Sequence, residues 1–235
     1  MSLLLLVEGE QTEPSVYKAW IHQHLPSLRA AANVAGLVGE GYVLVRGKGY
    51  PSANRRIAGL LRDIDENPGK VDEFWICVDS DEDSYDERYR QVQRAVDEAA
   101  SATTIQKTSP LLKIRIIIQH CCIETWFLGH DGFMRAGPQS RKLVEFKRFY
   151  DVSLSDPELM GRPPGYVTRA SFHLDYLREM LAERNHRYSK RHPGVVADAS
   201  YFQALKSRCE RTAHLRSFQR LVDAFGECSN KPNQS

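Results

Sequence analysis

The sequence has few cysteines and lacks the motifs that mark several common enzyme classes. Its 235 residues include five cysteines and no Cys-x-x-Cys pair, which argues against a disulfide framework or a zinc ribbon. It contains no His-Glu-x-x-His run of a metalloprotease and no Gly-x-x-x-x-Gly-Lys-Ser/Thr loop of an ATPase. The apolar run at residues 3–7 is too short for a secretory signal or a membrane span. We therefore expect a cytoplasmic protein with reduced thiols and no membrane contact.

Two of the cysteines are neighbours in the chain. Cys121 and Cys122 directly follow His120, and this adjacency is a poor spacing for zinc ligands. Our interpretation is that they are buried thiols at the end of a strand.

Charge is balanced over the whole chain but not along it. Lysine and arginine total 32 against 30 aspartates and glutamates, a net charge of +2. Residues 1–130 carry 14 basic and 18 acidic side chains, whereas residues 131–235 carry 18 basic and 12 acidic ones. An acidic half joined to a basic half is typical of a metal site beside a polyanion-binding surface. Ordinary scatter of charge is the open alternative.

Apolar runs alternate with helical patterns in the first half of the chain. The predicted strands are Ser2–Val7, Tyr42–Val45, Glu73–Val78 and Lys113–Ile118. Their nearly continuous apolar character indicates a mostly parallel, four-stranded sheet that is flanked by helices, as in doubly wound α/β domains. Further helices are predicted at residues 140–149, 169–184, 199–209 and 217–225. We expect an α/β metal-binding domain over residues 1–125 and a basic helical extension over residues 126–235 that packs on it.

Acidic side chains follow three of the predicted strands. Glu8, Glu10 and Glu13 follow the first strand, residues 79–83 contain three aspartates and a glutamate, and Glu124 comes shortly after the fourth strand. Parallel strands end at the same edge of a sheet, where α/β proteins place their ligands. Carboxylates gathered there are suited to Mg²⁺, which prefers hard oxygen ligands.

Each acidic group also has a purely structural interpretation. Glu8 and Glu13 are acidic residues at the start of a helix, where the helix dipole favours negative charge. The run from Asp79 to Asp81 suits a polar turn, and Glu124 suits the cap of the following helix. Capping alone does not require all three turns to be acidic.

The motif VEGEQTEP at residues 7–14, followed by VDSD at residues 78–81, resembles the TOPRIM domain. It is most similar to the TOPRIM-like nucleases of the OLD, RloB-like and anti-restriction-sensing defence groups. Glu124 in the run CIETWFL resembles their later, aromatic-flanked glutamate. The Tyr188-Ser189-Lys190 segment resembles a Tyr-x-Lys element of the same group.

The resemblance implies roles for particular residues. It implies that Mg²⁺, or Mn²⁺ in its place, is bound by a set of carboxylates: Glu8, Glu13, Asp79, Asp81 and Glu124. Glu8 would also perform acid–base work, and Lys190 would stabilise charge on the phosphate. The alternative for Lys190 is a solvated lysine in a basic loop with Arg187 and Arg191.

The resulting hypothesis is a metal-dependent nuclease in which basic residues of the helical half hold DNA or RNA. The resemblance adds a role in bacterial defence against phage and an ATPase partner encoded nearby. The sequence leaves the oligomeric state open, with a homo-oligomer as one alternative. One alternative is a catalytically silent TOPRIM-like subunit that binds or regulates the ATPase. Another is a phosphoesterase that acts on a small substrate through the same acidic edge.

Overall fold

The computed structural model describes residues 1–49 and 51–229, which divide into two compact units. The first, the sheet unit, comprises Met1–Val78, Asp86–Ile118 and the C-terminal segment from Ala224. The second, the helical unit, comprises Asp79–Tyr85 and Gln119–Asp223. The expected functional division at residue 125 stays a prediction.

The centre of the sheet unit is a five-stranded sheet. Its strands are β1 (Ser2–Val7), β2 (Arg29–Ala30), β3 (Gly41–Arg46), β4 (Glu73–Asp79) and β5 (Lys113–Gln119). They are arranged in the order β2-β3-β1-β4-β5, and β1 pairs in parallel with both β3 and β4. Every residue of β1 is buried, because a central strand of this kind is covered on both faces.

The sequence predicted four strands, and the fifth is β2. It is only two residues long and both are exposed, so it has no apolar run that a sequence pattern could reveal. It pairs in parallel with β3, with Arg29 opposite Gly41 and Ala30 opposite Tyr42. Main-chain hydrogen bonds define this strand, and apolar burial does not contribute to it.

Helices flank the sheet, as expected for an α/β unit. They are α1 (Thr12–His24), α2 (Ser52–Asp65), α3 (Tyr85–Ser101) and α4 (Ile105–Thr108). In α2 the buried residues recur at helical spacing: Ala53, Ile57, Leu60, Leu61 and Ile64. This spacing places one apolar stripe on one side of the helix.

The helical unit is built from shorter elements. They are α5 (Ile123–Phe127), α6 (Arg141–Phe149), α7 (Arg169–Ala182), α8 (Ala199–Thr212) and α9 (Arg216–Ser229), of which α9 continues into the sheet unit from Ala224. Three 3₁₀ turns lie between them, at Asp131–Phe133, Pro157–Leu159 and Gly194–Ala197. The helix α7 begins after Thr168, whose side chain accepts a hydrogen bond from the Ser171 N–H in a capping box.

No helix within the described ranges, residues 1–49 and 51–229, combines the length and the apolar character needed to cross a bilayer. The five cysteines are all buried free thiols, which confirms the expectation for Cys121 and Cys122.

Candidate functional site

The strand β4 ends at Asp79 and leads into an acidic turn, residues 79–83. The Ser80 N–H donates to the carbonyl of Gln119 at 3.1 Å, and the Asp81 N–H donates to the carbonyl of Cys121 at 2.9 Å. Asp81 has a φ of 51°, a left-handed conformation that aspartate tolerates better than most residues. These bonds fix the turn to the chain that follows β5.

Arg169, the first residue of α7, holds the same turn from another side. Its guanidinium donates to the carbonyls of Asp81 and, at 3.1 Å, of Asp83. Its main-chain N–H donates to Glu82 Oε1 at 2.7 Å, and its side chain forms an ion pair with the same carboxylate. An arginine that binds two carbonyls of one turn restricts the directions in which the turn's carboxylates point.

Glu124 is the second residue of α5 and is only 3% exposed. The Tyr188 hydroxyl donates to its Oε1 at 2.9 Å. The N-cap residue of α5 is Cys122, so the capping interpretation of Glu124 is wrong. The buried carboxylate is instead oriented by a tyrosine 64 positions later in the chain.

The structure brings Asp79 and Glu124 near the same buried thiol, that of Cys122. A hydrogen bond to Cys121 and burial raise the pKa of the Cys122 thiol. The negative charges of Cys121, Glu124 and Asp79 raise that pKa further. Both carboxylates therefore lie within electrostatic range of one side chain, Asp79 from the end of β4 and Glu124 from the helix that follows β5.

Glu8 and Glu13 lie in the sheet unit, and both are buried. The Glu8 N–H donates to the Cys77 carbonyl at 3.0 Å. Glu13 is in the first turn of α1, consistent with a favourable helix dipole. A Cβ at Gly9 would collide with the Glu13 carboxyl group. In the structure the glycine makes room for that side chain.

Lys190 is exposed, in the segment that follows α7. Next to it the helical unit has an open pocket of about 540 Å³. The residues that line this pocket are mostly basic or polar: Arg178, Ala182, His186, Arg187, Tyr188, Ser189 and His192. Tyr188 thus contributes to the wall of a basic pocket and, through its hydroxyl, binds Glu124.

His120 is a further polar group beside the acidic turn, residues 79–83. Its Nδ1 lies 2.7 Å from Ser80 Oγ. Burial lowers the pKa of His120, and the positive charge of Arg169 lowers it further. In the sequence, His120 stands out only as a neighbour of the cysteines.

The contribution of Arg169 could not be found from the sequence. It is separated from Asp81 by 88 positions, and its only local signal is its place after a helix cap. The functional roles of Glu8, Glu13, Asp79, Asp81, Glu124 and Lys190 stay predictions.

A family model described as RloB-like protein matches residues 3–171. The matched segment includes the five predicted carboxylate ligands and Arg169, and it ends before Tyr188 and Lys190. No curated protein and no solved structure matches the chain.

Proposed function

We propose, from the premise that this chain belongs to the RloB-like family, that it is a metal-dependent nuclease with a TOPRIM-like catalytic domain and a role in defence against phage. The observation that carries the proposal is the arrangement of Asp79, Asp81 and Glu124 in one unit. Their segments are joined by the hydrogen bonds from Ser80 and Asp81 to the chain after β5.

The donors in this arrangement fit Mg²⁺. Carboxylates supply hard oxygen atoms, and two buried or half-buried carboxylates near one thiol repel each other unless a cation or protons compensate them. Bound Mg²⁺ would stabilise the negative charge of a phosphodiester during its hydrolysis. The protein's own part is to hold the carboxylates in place, through Tyr188 at Glu124 and Arg169 at the Asp81 turn.

The pocket that Tyr188 lines supports a nucleic-acid substrate. Its arginines and histidines present hydrogen-bond donors of the kind that bind phosphate oxygens. Lys190 follows Ser189, which also lines the pocket. We propose that this surface binds the sugar-phosphate backbone and that Lys190 stabilises charge on it.

The remaining parts of the proposal rest on the family resemblance. They are the roles of Glu8 and Glu13 as further ligands, with Glu8 in acid–base work, and an ATPase partner encoded nearby.

The test is cleavage by the purified chain, alone and with the neighbouring ATPase, of single-stranded DNA, double-stranded DNA and RNA. The assays contain Mg²⁺, Mn²⁺ or EDTA. The variants are Asp79→Asn, Asp81→Asn and Glu124→Gln, which keep side-chain size and remove charge. We expect cleavage that EDTA abolishes and that each variant lowers by roughly 100-fold or more, because each removes a charged ligand.

The matched control is Asp86→Asn, at an exposed aspartate in the first turn of α3, and it should cleave like the wild type. Equal cleavage by the wild type and the Asp79 and Asp81 variants would overturn the proposal. So would a wild type that hydrolyses a simple phosphomonoester while leaving every nucleic acid intact.

A further inference from the structure

A second group of ligand atoms lies in the helical unit and contains no carboxylate. It consists of Cys121 Sγ, Cys122 Sγ and His173 Nδ1, which all lie within 4.8 Å of one another. All three residues are buried. A tetrahedral ion with bonds of ~2.0–2.3 Å needs ligand atoms roughly 3.5–4 Å apart, and Cys121 Sγ lies 3.4 Å from the His173 ring nitrogen.

The ring of His173 is oriented with Nδ1 towards the two sulfurs and Nε2 away from them. Its Nε2 lies 3.1 Å from the carbonyl oxygen of Met160, which can only accept a hydrogen bond. Nε2 therefore carries a hydrogen, and Nδ1 is the ring nitrogen that faces the cysteines. A histidine that donates its other nitrogen's hydrogen to a backbone carbonyl is the usual arrangement for a metal ligand.

Thr125 supports the same group. Its Oγ1 accepts the N–H groups of Cys121 and Cys122 at 3.2 and 3.3 Å. It lies 2.7 Å from His173 Nδ1 and 3.5 Å from each sulfur. The hydroxyl hydrogen can rotate from the nitrogen to a sulfur, and it would then stabilise a thiolate that is bound to a metal.

We propose that Cys121, Cys122 and His173, which tertiary packing and not sequence spacing brings together, supply three of the four ligands of a zinc site that ties α5 to α7. Two sulfurs and an imidazole are soft ligands that select Zn²⁺ over Mg²⁺, whereas the carboxylates of the proposed catalytic site select the reverse. Binding releases to solvent whatever protons the ligand atoms carry, so the ion is held by two thiolates and the Nδ1 of His173. The zinc site is independent of the proposed nuclease activity.

The test begins with the metal content of the full chain, purified under reductant and without chelator. We expect near-stoichiometric zinc by mass spectrometry. Zinc should fall to background in Cys121→Ser and His173→Asn. It should be retained in Cys209→Ser, which changes another buried cysteine of the same unit.

A spectroscopic measurement on the wild type does not depend on whether the variants fold. Cobalt(II) added to zinc-depleted protein should give intense visible bands of tetrahedral geometry and a near-ultraviolet thiolate charge-transfer band, and excess Mg²⁺ should remove neither. A weak octahedral spectrum in wild type, or equal loss of zinc in the Cys209 variant, would overturn the proposal. Neither result bears on nucleic-acid cleavage.

Discussion

Glu158 is a buried acid whose protonation should make the stability of the fold depend on pH. It lies in the 3₁₀ turn Pro157–Leu159 and accepts hydrogen bonds from the Ser217 N–H at 3.1 and 3.3 Å and from the Ser217 hydroxyl. Ser217 Oγ in turn accepts the indole N–H of Trp126 at 2.7 Å. Burial raises the pKa of Glu158 to about 7, although the Ser217 hydrogen bonds oppose the shift.

The sign of the effect follows from proton binding. The unfolded chain loses this proton near pH 4.5, and the folded protein keeps it up to about pH 7. The proton therefore stabilises the folded state fully below pH 4.5, and the contribution is lost as pH rises to about 7. Each tenfold difference in proton affinity is worth about 1.4 kcal/mol, so the total is about 3 kcal/mol.

The perturbation is Glu158→Gln, which keeps the shape and cannot titrate. The assay is urea unfolding of wild type and variant between about pH 5 and pH 8. Between these limits, the unfolding free energy of wild type minus that of the variant should fall by about 2–3 kcal/mol. Burial also lowers the pKa values of His120 and His130. Their contributions to the pH dependence of the unfolding free energy are the same in both proteins and cancel in this difference. Parallel curves for the two proteins would refute the argument.

Three further changes test particular contacts. Arg169→Ala should lower the unfolding free energy by about 1–3 kcal/mol, because the acidic turn loses its charged donor. It should also lower nucleic-acid cleavage by roughly 10-fold or more. Arg169→Lys should give intermediate values of both. Tyr188→Phe should weaken Mn²⁺ binding by roughly 10-fold in calorimetry, because Glu124 loses the bond that orients it. Glu73→Ala should lower the unfolding free energy, measured in urea, by about 3–5 kcal/mol. It removes a fully buried carboxylate whose Oε2 lies 2.7 Å from Nε of the half-buried Arg115.

Matched controls separate these effects from general destabilisation. Tyr176→Phe removes a hydroxyl that donates to the Tyr150 carbonyl at 2.8 Å, and it should leave Mn²⁺ affinity unchanged. Glu227→Gln removes the exposed partner of the same Arg115, and its effect should be much smaller than that of Glu73→Ala. A Mn²⁺ affinity that falls equally in both tyrosine variants would contradict the proposal that Tyr188 orients Glu124. Equal losses of unfolding free energy in the Glu73 and Glu227 variants would contradict the argument that burial makes the Glu73 ion pair the stronger one.

Much of the sheet unit could be predicted from local sequence. Residues 3–7 form an uninterrupted apolar run, and a fully buried parallel strand is the structure that such a run favours. The apolar positions of α2 recur at helical spacing and stop before the turn at residues 67–69. The strand β2 was not predicted because Arg29 and Ala30 pair only through main-chain groups, and no side-chain pattern indicates such a pairing.

The polar partners of the site show where local patterns fail. The sequence identified the Asp79–Asp83 turn and Glu124 because acidic residues after apolar runs are visible within a few positions. In the sequence His120 is the histidine adjacent to the cysteines, whereas in the structure His120 Nδ1 lies beside Ser80 Oγ and His173 lies beside the sulfurs. His173 is 52 positions from Cys121, and α7 reaches it only through tertiary packing.

The helix α7 explains why the acidic turn, residues 79–83, depends on residues of the helical half. Its first residue, Arg169, binds the turn that carries Asp81, and four residues later His173 contacts Cys121 and Thr125 beside Glu124. Asp81 is held at a positive φ that costs free energy in an isolated turn, so the conformation persists only while surrounding contacts maintain it. A fragment that ends before α7 would keep the acidic residues in its sequence and lose the groups that position them.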